Sequence, residues 1–138
     1  MTRIVRAILI DPFACTVTET EYDGSKGLAE VYALLSHETM PVDLVTAAYS
    51  GHLQGRDVIY VDDEGLMKSP QRFFKYSGNP QPLAGKGLIV GTDADGNTIS
   101  ADTPRGYASM MVSFAEALER NGEVGLYATR TPWSAPSV

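Results

Sequence analysis

Apolar and polar positions divide the chain into short segments with two different periods. Arg3 to Ile10 is nearly continuous apolar sequence rich in Ile, which predicts a central strand. Asp11-Pro12 turns the chain, and residues 14–22, rich in Thr and Val, predict a second strand with a polar outer face. After the Asp23-Gly24-Ser25 break, Leu28, Val31, Tyr32 and Leu35 recur at helical spacing, so a first helix is predicted over residues 26–36. Pro41 stops that segment, and residues 42–49 return to strand character up to Ser50-Gly51.

Two further strands run into acidic turns closed by glycine. The first is Val58 to Val61, followed by Asp62-Asp63-Glu64-Gly65. The second is Lys86 to Thr92, followed by Asp93-Ala94-Asp95-Gly96, a hairpin connection with Gly96 supplying the positive φ and Thr98 to Ser100 as the return strand. Between them, Pro70, Gly78, Pro80 and Pro82 forbid a long regular element, so a loop with a short strand around Phe73 is predicted.

Beyond residue 100, Asp102 or Thr103 is placed to cap a helix whose first position is Pro104. Tyr107, Met110, Met111, Phe114 and Leu118 form one apolar stripe along it, and Asn121-Gly122 ends it. The pattern as a whole predicts one α+β domain over residues 1–125, a mainly antiparallel sheet covered by two packed helices. Residues 126–138, with Pro132, Trp133 and Pro136, are expected to be a mobile tail, with Trp133 able to dock on the body.

The chain of 138 residues is long enough for a real core, and 43% apolar with 20% charged residues is ordinary for a globular protein. The net charge of −6 argues against a partner that is a nucleic-acid duplex, which needs a basic face. The carboxylates are spread along the chain, which also argues against mimicry of a nucleic acid. With one cysteine, Cys15, no internal disulfide or Cys-rich zinc site forms. Cys15, in the strand-like run, reads as a small buried hydrophobe. No apolar run is long enough for a membrane span, so a cytoplasmic protein with no membrane partner is expected.

Candidate chemistry is sparse. Asp93-Ala94-Asp95-Gly96-Asn97 resembles the start of a calcium loop, but Thr98 stands where an EF-hand needs Gly and Pro104 where it needs a bidentate Glu; turn chemistry explains the same residues. Asp62, Glu64 and Lys68 are the types a metal-dependent enzyme gathers, yet Gly65, Leu66 and Met67 intervene. His37 and His52 have no carboxylate or Cys at ligand spacing and read as surface residues, and no hydrolase or phosphate-loop motif occurs. No catalytic residue, metal ligand or cofactor is therefore assigned. What remains is the basic and aromatic stretch from Lys68 to Tyr76. Lys68, Arg72 and Lys75 supply cations, Gln71 an amide, and Phe73, Phe74 and Tyr76 rings. Guanidinium on phosphate and ring on base is a workable device for a nucleotide. The competing reading is an amphipathic edge, with the rings in the core and the cations in water.

The ordered set of elements is similar to a family of small proteins of phages and other mobile elements, domain of unknown function 3846. The resemblance spans residues 3–103. Leu28 and Val31 fit its short helix, residues 58–65 its acidic turn, Gln71-Arg72 the place of an Asn-Arg pair, and residues 87–96 with Ser100 its closing strand and turn. Gln71 departs from the pattern, and the segment from Pro104 onward lies outside it. The resemblance implies a phage or prophage setting and names no reaction. The expectation is a non-enzymatic binding protein that modulates the host, as an anti-defence protein sequestering a nucleotide-derived signal at Arg72 or blocking a host protein. The alternatives are a metal-dependent enzyme using the turn from Asp62 to Glu64, and a module that self-associates into a homo-oligomer through Met110 and Met111.

Overall fold

The apolar runs at the two ends of the resemblance pair with each other at the centre of the protein. A computed structural model describes residues 2–51, 53–68, 72–120 and 122–128. In it, β1 (Ile4–Asp11) and β2 (Thr16–Asp23) form an antiparallel hairpin, with Ile4 opposite Asp23 and Asp11 opposite Thr16. A 3-10 turn (Gly24–Lys26) leads to α1 (Ala29–Leu35). Then come β3 (Val45–Tyr49), β4 (Asp57–Asp62), β5 (Arg72–Tyr76), β6 (Leu83–Ala84), β7 (Gly87–Thr92), β8 (Thr98–Ile99), α2 (Arg105–Met111), β9 (Val112–Arg120) and β10 (Glu123–Ala128).

The strands make two sheets, antiparallel at every pairing. One has the order β2-β1-β7-β4-β3, with β8 added beside β7; the other has the order β10-β9-β5-β6. The fold is therefore α+β and mostly sheet, as the pattern predicts. The first sheet is covered on both faces, which is why β1 and β7 read as continuous apolar runs rather than alternating ones. Val5, Ala7, Leu88 and Val90 pack with Val31 and Leu35 of α1 on one face. Ile8, Ile10, Ile59 and Ile89 meet Phe74, Tyr76, Val112 and Phe114 of the second sheet on the other. Period-two alternation thus divides the buried apolar residues of β1 and β7 between two cores.

Several details depart from the sequence reading. Cys15 does not lie in β2: it sits half-buried in the turn before it, at φ +56, with its thiol 3.7 Å from the Pro12 carbonyl. Pro104 is the residue before α2 rather than its first position, and no side chain caps that helix. Asp102 and Thr103, expected as caps, give their own amides to Asp57.

The largest departure is the end of α2. The helix stops at Met111, and residues 112–120 are β9, so the stripe from Tyr107 to Leu118 is half helix and half strand. Gly122, at φ +83, sits in the reversal between β9 and β10 instead of ending a helix. Residues 126–128, expected to open the tail, close β10, with Leu126 opposite Ala117 and Ala128 opposite Ala115. Residues 129–138, Trp133 among them, lie outside the described residues, as do His52 and Gln71.

Candidate functional site

β4 delivers its last residue, Asp62, into a turn that is unusually well tied down. The Asp62 side chain is 2% exposed. Its Oδ1 accepts the Glu64 amide at 2.9 Å and its Oδ2 accepts from Lys68 Nζ at 2.8 Å. Lys68 Nζ also donates to the Pro41 carbonyl at 2.7 Å, and the Asp63 amide donates to the Leu44 carbonyl at 2.9 Å. These bonds clip residues 62–68 to residues 41–44.

The stretch Gly65–Lys68 is a single 3-10 turn. With three residues per turn, its first and fourth positions share one side. Gly65 faces the body so closely that a Cβ there would stand 3.2 Å from Ala84 Cβ, and Lys68 reaches inward to Asp62. Leu66 and Met67 are consequently left outside, 73% and 82% exposed, and Leu44 on the neighbouring segment is 46% exposed. Asp43 and Asp63 are exposed beside them, and Asp43 and Glu64 line a shallow cleft of about 270 Å³ with Pro41, Val42 and Lys68. The turn thus forms a tip with two adjacent apolar side chains outside, flanked in sequence by Asp63 and Glu64 and tied through the Asp63 amide to Leu44.

The basic and aromatic stretch is dispersed by the strand geometry of β5. Phe74 and Tyr76 are fully buried between the sheets, and Phe73, 8% exposed, packs with Met40 and Ala84 on the other face. No ring of this stretch is left to stack on a base. Arg72 pairs with Glu116, its neighbour across the β5–β9 ladder, at 3.5 Å. Lys68 is committed to Asp62. Arg72 and Lys75, three apart in a strand, point to opposite faces, and Lys75 alone of the three cations is exposed. The rings follow the amphipathic-edge reading, and the cations do not converge.

The second acidic turn is a hairpin connection. Asp93 Oδ1 accepts the amides of Asn97 (2.8 Å) and Asp95 (2.9 Å), and Oδ2 accepts the Asn97 side-chain amide at 3.2 Å. Those bonds, the Asn97 amide first, hold the Asp93 carboxyl below the usual carboxylate range. Gly96 takes φ +84. His37 is a half-buried residue, stacked on Phe13 with ring centroids 3.8 Å apart.

Comparison of the chain with protein-family models, with curated proteins and with solved structures returned no match.

The residues that the sequence reading passed over are Leu44, Leu66 and Met67. Their signal was present: two large apolar residues inside a turn bounded by Gly65 and Pro70 have no strand or helix to pack from.

Proposed function

We propose that this is a non-enzymatic binding protein that docks on another protein through the tip formed by Leu44, Leu66 and Met67. In the phage or prophage setting that the sequence resemblance implies, this would modulate the host by blocking one of its proteins. The observation that carries the reading is the exposure of Leu66 and Met67 on a braced turn. Apolar side chains scattered singly on a surface are ordinary; a contiguous apolar group with a polar rim marks an interaction site. A turn already fixed by the Asp62–Lys68 pair loses little conformational freedom on binding, which favours affinity.

The acidic residues that flank these side chains in sequence select the partner. Asp43, Asp63 and Glu64 suit a protein with an apolar pocket edged by Lys or Arg, and the net charge of −6 steers toward such a surface. Blocking a protein is favoured over sequestering a nucleotide at Arg72, because that arginine is paired and the rings beside it are buried. It is also favoured over a metal site at the Asp62 turn, where both carboxylate oxygens are engaged by Glu64 and Lys68. Affinity capture from host lysate tests it. The wild-type protein should retain a protein with a basic face that the Leu66→Ser/Met67→Ser variant releases. Retention of the same proteins in equal amount by both would overturn the reading.

A further inference from the structure

The second sheet carries a small cleft built from residues distinct from those of the tip. In the β5–β9 ladder Lys75 stands opposite Ser113. Residues paired across an antiparallel ladder share one face, with Cβ atoms about 5 Å apart. The Ser77 amide donates to the Met111 carbonyl at 2.8 Å, holding the end of β5 against the junction of α2 and β9. The chain then turns at Gly78, whose φ of +90 suits a residue without a Cβ. Lys75, Ser77, Gly78, Met110, Met111 and Ser113 take part in lining an open cleft of about 400 Å³.

The lining has two halves of different chemistry. Lys75 is exposed and makes no ion pair among the described residues. With the hydroxyls of Ser77 and Ser113 it presents one charge and two neutral donors. Met110, 63% exposed, and Met111 form the other half; thioether chains adapt to flat apolar ligands. The volume falls at the small end of ligand sites, roughly 300–1,000 Å³. A lysine acts on phosphate as a point charge, and hydroxyls complete the set of donors around its oxygens.

We propose that this cleft binds a small phosphate ester with a flat apolar body, of the nucleoside monophosphate class. The phosphate sits between Lys75, Ser77 and Ser113, and the base lies on Met110. The site is independent of the docking tip. Calorimetric titration with adenosine monophosphate, adenosine and inorganic phosphate tests it. The monophosphate should bind saturably, inorganic phosphate more weakly, and adenosine weakest. Lys75→Gln should lower affinity for the monophosphate roughly tenfold or more. Met110→Ala should weaken the monophosphate while leaving inorganic phosphate unchanged, and Leu66→Ser should bind both as wild type does. Absence of saturable heat at millimolar monophosphate, or equal affinity in Lys75→Gln, would overturn the proposal.

Discussion

Thr103 gives its backbone amide to Asp57 Oδ2 at 2.7 Å, across 46 residues of sequence. Asp102 adds its amide to both oxygens of the same carboxylate, at 3.0 and 2.9 Å. Arg6 holds that segment by its other polar groups, donating from Nη1 to the Ala101 carbonyl at 2.7 Å and from Nη2 to the Thr103 carbonyl at 3.2 Å. The link from β8 to α2 therefore hangs between a carboxylate on β4 and a guanidinium on β1. That clamp seats α2, and with it Met110 and the start of β9.

Replacement of Asp57, 2% exposed, leaves the fully buried Thr103 amide without an acceptor. Asp57→Ala should cost about 2–4 kcal/mol. Asp57→Asn, which keeps one acceptor oxygen, should cost about 1–2 kcal/mol. Urea denaturation checks both as a lowered midpoint at unchanged slope.

The two ion pairs flanking residues 69–71 should differ in weight. Asp62 is buried, so Lys68→Met strands its charge and should destabilise by about 1–3 kcal/mol. Arg72 and Glu116, 35% and 30% exposed and 3.5 Å apart, are screened by water, and Arg72→Ala should cost less than about 1 kcal/mol. Double-mutant cycles with Asp62→Asn and Glu116→Gln would separate the coupling from the loss of each side chain.

Legibility followed how local the deciding contacts were. β1, β7 and the acidic turns were readable because their patterns are set by residues adjacent in sequence: two-sided burial makes continuous apolar runs, and Asp93, Asn97 and Gly96 carry their own turn. β9 was not, since Tyr107, Met110, Met111, Phe114 and Leu118 satisfy helical spacing, and Ala, Glu and Leu in residues 115–119 favour a helix locally. The strand is selected by pairing with β5, where Phe114 stands opposite Phe74, a contact that no local window contains. Asn121-Gly122 misled for the same reason, because that dipeptide both stops helices and turns hairpins. At the candidate site, the cations and rings were visible but their facing was not. Alternation along β5 sends Phe74 and Tyr76 into the core and parts Arg72 from Lys75.

Phe114 gives a test of that correction. It is 2% exposed between the sheets, so Phe114→Ala should cost about 3–5 kcal/mol. In the wild-type protein, nuclear Overhauser contacts should link the backbones of Phe74 and Phe114, a pattern that a helix through residue 114 would not give.

Alkaline stability should depend on Tyr22. Its hydroxyl is buried and without a partner among the described residues. Burial first, and the neighbouring Tyr60 second, push it up to about 12. A folded value above the unfolded one, about 10, means the neutral ring's contribution is full below that pH and is lost as pH rises toward 12. Tyr76 is pushed up in the same direction, also by burial first. Tyr22→Phe should therefore soften the fall in stability above pH 10 and cost little at neutral pH, read by denaturation at stepped pH.

The central claim is that Leu66 and Met67 form the heart of a protein-binding surface. The most direct measurement is the dissociation constant of the captured partner for wild type and for Leu66→Ser/Met67→Ser, at low and high salt. Removing two central apolar anchors should weaken binding by about 2–4 kcal/mol, roughly thirtyfold or more. Salt should weaken the wild-type complex by screening Asp43, Asp63 and Glu64. Equal dissociation constants for the two proteins would contradict the account.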